Sequence, residues 1–161
     1  MKVYYEQDGI VVRTSDFTDV EYLAPRLRES DVKEVWASNH HTPFMALYHS
    51  YDKSILCLTI EYDGEAVAMF GLNGENVLSN IGTVWLLGSD ELFKHRIRFI
   101  RHSKRFLNIM LNMYPTIFNY VHAENKESID WLIHCGAKIA EPQPYGMEQE
   151  MFRYFQFERT V

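Results

Sequence analysis

Two periods of apolar residues alternate along this chain. In some stretches every second residue is apolar or β-branched, and in others the apolar residues recur every three or four positions. These are the marks of strands and of amphipathic helices. Gly9–Arg13 reads as a short first strand. Ser15 and Asp16 offer N-cap oxygens, and Val20, Leu23, Leu27, Val32, Val35 and Trp36 continue a helical stripe to about Asn39. That stripe is one broken helix or two short ones, with Pro25 near the start of the second. Thr42-Pro43 opens a further helix, Phe44 to about Tyr51. Ile55–Tyr62 and Ala66–Gly71, joined by Asp63-Gly64, predict a β-hairpin. Asn73–Asn80 is polar and reads as a loop, and Thr83–Leu87 as a strand. Gly88-Ser89-Asp90 then leads into a long helix from about Glu91 to Tyr114, stopped by Pro115. Its residues Phe93, Ile97, Ile100, Leu107, Leu111 and Tyr114 are expected to face a sheet. Next come a strand over Ile117–His122, a helix over Lys126–Cys135 with Gly136 at C′, and strands over Ala137–Ala140 and Met151–Phe157. This order predicts an α/β fold, a mixed sheet with helices on its faces. With no repeat or linker in the sequence, residues 1–161 are expected to form a single domain.

Composition narrows the class. At 47% apolar and 24% charged the chain can bury a core. No apolar run approaches the roughly 18–20 residues that cross a bilayer, so no membrane partner is expected. The amino terminus turns polar and acidic after Lys2, unlike a secretory signal. Two cysteines, Cys57 and Cys135, are too few for a disulfide framework or a Cys-based zinc site, and a cytoplasmic location is expected.

The net charge of −6 is unevenly spread. Lys94, Arg96, Arg98, Arg101, Lys104 and Arg105 fall in twelve residues without an acid, so that window is +6 and the rest −12. Such a split favours an anionic ligand near the window, or marks a solvated helix face. Acidic character elsewhere, and only Phe99 interleaved among the cations, make a nucleic-acid partner unexpected. No metal is expected either. His122-Ala-Glu124 lacks the cysteine half of a zinc deaminase, and His95 and His102 stand roughly 10 Å apart along a helix. His49 and Asp52 have no third ligand, and His40-His41 reads as an exposed pair in a loop. The aromatic end, Tyr145 to Phe157, could be core or a surface for a homodimer or another partner.

From Thr83 to Phe157 the order of elements resembles the GNAT family of N-acetyltransferases. Asn125-Lys-Glu-Ser-Ile-Asp-Trp-Leu-Ile-His-Cys-Gly-Ala137 carries most of the likeness: an asparagine, a small residue three later, an amphipathic turn, and a glycine at plus eleven. Trp85–Ser89, the basic helix, Tyr114-Pro115, Asn119–Asn125 and Trp131-Leu132 are similar to small GNAT-like proteins of T7-type tailed phages. Some members of that group are labelled internal virion proteins. The first half of the chain agrees in element order only.

The resemblance implies a central, mostly antiparallel twisted sheet with helices on both faces. It also implies an acetyl-CoA or other acyl-CoA cofactor, its pantetheine arm on a splayed strand and its diphosphate on helix-start amides. Leu87, Gly88, Ser89, Lys94, His95, Arg96, Asn125 and Ser128 are the residues so implied. The family's glycine-rich signature is missing at Gly88–Arg96, where Asp90 and Glu91 stand instead. Leu132 occupies the place of the family's usual tyrosine acid. Candidate proton-transfer groups are Glu61, His122 and, on His122's face, Tyr120; Cys135, at a helix C-terminus, is no candidate nucleophile. Two functions follow. One is a phage-encoded N-acyltransferase acting on an amine of a host protein or small molecule in the host cytoplasm. The other is a catalytically silent GNAT-fold protein that binds a host protein or sits in the virion.

Overall fold

A computed structural model describes residues 1–74 and 78–160. The expected loop over Asn73–Asn80 falls in part outside the described residues. One sheet runs through nearly every element. Its strands are β1 (Val3–Gln7), β2 (Ile10–Thr14), β3 (Leu56–Tyr62), β4 (Glu65–Asn73), β5 (Ile81–Gly88), β6 (Thr116–His122), β7 (Lys138–Ile139), β8 (Gln143–Tyr145) and β9 (Glu150–Glu158). Their spatial order is β1-β2-β3-β4-β5-β6-β9-β7, with β8 also paired to β9. Every described pairing is antiparallel except β5–β6.

The helices lie on both faces. On one face are α1 (Phe17–Leu23), a 3₁₀ turn at Ala24–Arg26, α2 (Glu29–Asn39) and α3 (Pro43–Lys53). There Val20, Leu23, Ala46 and Leu47 pack on Met69 and Leu87. The other face carries α4 (Asp90–Lys94), α5 (Arg96–Leu111) and α6 (Lys126–His134). Phe99, Phe106, Met110, Ile129 and Leu132 meet Ile60, Phe70, Leu72 and Ile117 there. Alternation along β4 feeds both cores, Met69 into one and Phe70 into the other. A bulge interrupts that alternation: Glu61 pairs with Ala66 and Ile60 with Ala68, leaving Val67 extra.

Several elements differ from the sequence-based expectation. β1 and β8 were not anticipated. β1 joins β2 through Asp8-Gly9, both at positive φ, the backbone of a tight hairpin turn. Pro25 lies in the 3₁₀ turn, and α2 begins only at Glu29. The long helix breaks at His95 (φ −104°, ψ 52°) and ends at Leu111. The buried face is Phe99, His102, Ser103, Phe106, Leu107, Met110 and Leu111, while Ile97, expected inside, is 76% exposed. Trp36 is likewise exposed, because α2 buries Asp31 and Ala37 instead. β9 is paired on both sides, and its Phe152, Phe155 and Phe157 are buried.

The turn between β8 and β9 holds the end of α2. Met147 and Glu148 donate backbone N–H bonds to the carbonyls of Ser38 and Ala37 (3.0 and 3.1 Å), and His40 pairs with Glu148 (2.8 Å). Gly146 is needed there: its φ is +79°, and a Cβ would come within 2.7 Å of the Ser38 Cα.

Candidate functional site

β5 and β6 are paired only over Ile81–Thr83 and Thr116–Phe118, and then diverge. Asn119 stands at the apex of the split, where its Nδ2 donates to the Val84 carbonyl (2.6 Å). Beyond it opens a cavity of about 340 Å³. Its sides are Val84–Leu87 of β5 and Asn119–Val121 of β6. α2 and α3 cover one side, Phe93 and Leu107 approach from the other face, and Ser128, Trp131 and Leu132 come from α6. Tyr145 closes it further, its ring stacked on Tyr120 at 3.9 Å between centroids.

A charged stripe of one side chain per helical turn enters this cavity from α2 and the residue before it: Arg28, Asp31 and Glu34. Arg28 and Asp31 are 4% and 3% exposed and form a two-bond ion pair (2.7 and 3.2 Å). Asp31 also accepts the Gly88 N–H at 2.9 Å. Arg28 stacks over the Phe93 ring (4.4 Å) and reaches Glu127 at the start of α6 (3.4 Å). Burial pushes the Asp31 carboxyl up, against the pull of Arg28 and the Gly88 amide. Glu34 accepts a hydrogen bond from Asn125 Nδ2 (3.0 Å). Its carboxyl is pushed up to about 7, first by burial and then by the neighbouring Asp31 charge, while Asn125, Arg28 and the His122 amide pull it down. A carboxyl poised there can hold or release a proton near neutral pH.

The sequence-derived candidates fall in several places. Tyr120, Leu87, Asn125 and Ser128 line the cavity. Asn125 also caps α6 by accepting the Ser128 N–H (3.4 Å), so it joins the helix start to Glu34. Glu61 lies elsewhere. It takes a 2.7 Å bond from Arg13, whose other nitrogens grip Asp19 at 2.8 Å each. Its role is therefore to balance a buried arginine. His122 is held at both nitrogens: Nδ1 accepts the Glu124 N–H (3.1 Å), so the proton sits on Nε2, which meets Glu150 (3.0 Å). Ser89 donates its N–H to Val67 (2.9 Å). Lys94 pairs with Glu91 (2.8 Å), and His95 and Arg96 are exposed outside the cavity. Arg28, Asp31 and Glu34 were missed; the one signal was their spacing of three, a charged stripe on a helix that must pack on a sheet.

The resemblance implies a pantetheine arm on the splayed strand, here β5 where it parts from β6. The residues present do not fit that arm. Arg28 bridges the gap from Phe93 to Glu127, and the Gly88 and Ser89 amides are already bonded. The start of α5 has no side-chain cap, so its first amides are open to water or an anion.

A sequence model of the family described as "Bacteriophage T7, probable scaffold protein Gp13" matches residues 56–142. No curated protein matches the chain. Similar solved structures include a GNAT-family acetyltransferase from Bacillus anthracis, 11% identical with a TM-score of 0.68, covering 95% of this chain and 96% of that one. Ard1 from Thermoplasma volcanium is 14% identical at 0.68, covering 95% and 99%. Spermidine N-acetyltransferase from Vibrio cholerae, solved with CoA and spermine, is 14% identical at 0.64, covering 94% and 96%. At these identities the likeness is one of fold: a mixed α/β GNAT fold.

Proposed function

This chain belongs to the family of the bacteriophage T7 probable scaffold protein Gp13, and on that footing we propose that it acts by binding, during assembly of a tailed-phage particle. In this reading it keeps the GNAT fold without acyl transfer. The observation that carries this reading is Arg28, held by Asp31 and Glu127 across the gap where a pantetheine arm would run. The absent glycine signature and the missing tyrosine at Leu132 support it.

A second reading is favoured by Glu34. A phage-encoded N-acyltransferase would use this carboxylate, poised at about 7, to take the proton from an amine of a host protein or small molecule held in the cavity. It requires Arg28 to leave its partners. Release of free thiol from acetyl-CoA in the presence of a panel of amines separates the two. The binding reading expects the uncatalysed rate, the same as with Glu34→Gln. Thiol release well above that rate, lost in Glu34→Gln, would establish the acyltransferase instead.

A further inference from the structure

The α3 side of the cavity carries a second chemistry. His41 follows α2, and His49 and Lys53 lie one turn apart on α3; all three line the cavity. The two imidazoles face each other with centroids 5.1 Å apart and planes inclined at 31°. Among the described residues none of the three has an ion-pair partner, although His40, one residue away, is paired with Glu148. Three cation-capable groups thus converge on one opening, none of them held in an ion pair among the described residues. Ser50 and Asn73 add polar lining. Glu34 is bonded to Asn125 at the start of α6, whereas the His41 ring faces His49 of α3, so the two ends of the cavity hold different partners.

We propose that His41, His49 and Lys53 form an anion-binding subsite, which takes the carboxylate or phosphate group of a small ligand or peptide end seated in the cavity. An anion between the rings offsets their mutual repulsion and gives each imidazolium a hydrogen-bond acceptor. Without one, burial first, then His49 and Lys53, hold the His41 ring below its ordinary value. The other charged groups lining the cavity are Glu34 and the closed Arg28–Asp31 pair, all from α2 and its start. Binding is therefore coupled to proton uptake and tightens as pH falls through the histidine range.

The subsite rests on the cavity being a binding site, and its test does not involve CoA. Nuclear magnetic resonance titration of the ring nitrogens is run in chloride, in sulfate and in acetate at equal ionic strength. Sulfate keeps its double charge throughout, so only the protein titrates. The expected result is a rise of about one unit for His41 in sulfate or acetate, with exposed His134 unmoved. The arm that gives the larger rise tells a phosphate-type from a carboxylate-type ligand. His49→Gln and, separately, Lys53→Gln should each reduce the rise severalfold. Equal titration of His41 in all three salts, or a rise shared by His134, would overturn the proposal. Either outcome leaves the reading of Arg28 untouched.

Discussion

Asp31→Ala is expected to cost about 3–5 kcal/mol of folding stability, because it leaves the Arg28 guanidinium buried without its counter-charge. For a domain of this length that is a fall on the order of 10 °C in Tm. The pair is almost fully enclosed, and Asp31 also satisfies the Gly88 amide. The exposed end of Glu127, at 3.4 Å, is too distant and too hydrated to replace it. The paired variant Arg28→Met/Asp31→Leu should recover most of the loss, since apolar groups of similar volume escape the desolvation penalty. It leaves only the Gly88 N–H without an acceptor. Denaturant unfolding of both variants checks this. A cost below about 1 kcal/mol for Asp31→Ala would mean that Arg28 finds water, and that the bridge across the gap is loose.

Glu34→Gln is expected to stabilise the protein at pH 8 and to leave it unchanged near pH 4. The folded-state carboxyl lies at about 7 against an ordinary 4.5. Between those values the folded chain keeps a proton that the unfolded chain has released. Stability is therefore full below about 4.5, falls as pH rises towards 7, and is level above. The fall is on the order of 2–3 kcal/mol once partial opening to the cavity is allowed for. Glutamine stays neutral throughout and still accepts from Asn125 Nδ2, so the slope should flatten. Part of it will remain, because Asp31 is shifted the same way and the two carboxyls titrate together. Unfolding curves at pH 4, 6 and 8 for wild type and variant give the comparison. Parallel stability profiles would place Glu34 in water.

The elements that the sequence announced are those whose signals are local. Asp63-Gly64 between two apolar runs made the β3–β4 hairpin plain, and Thr42-Pro43 marked the start of α3. Asn125, Gly136 and the stripe between them defined α6, although Cys135 is its cap rather than its last turn. The same logic was available at Asp8-Gly9, where the acidic residues around Tyr4 and Tyr5 hid an edge strand with one wet face. Other features depended on contacts that no local pattern holds. His95 breaks the long helix without glycine or proline, and Ile97, expected inside, lies on the exposed side of α5. α2 misled most, because it inverts the usual rule: it exposes Trp36 and buries Asp31 towards Gly88, a residue 57 positions away. Hence the fold was legible while the cavity was not. Of the three proposed proton-transfer groups, only Tyr120 reaches it. Glu61 and His122 were chosen for their chemistry, and the structure sets them outside the cavity lining, beside Arg13 and Glu150.

In the binding reading Arg28 closes the channel of the arm, and calorimetric titration with acetyl-CoA measures that closure. Wild type should give no saturable heat at millimolar ligand, while Arg28→Met/Asp31→Leu, with the bridge removed, should bind detectably more tightly. Saturable binding by wild type at micromolar concentrations, unchanged or weakened in the paired variant, would overturn the binding reading in favour of acyl transfer.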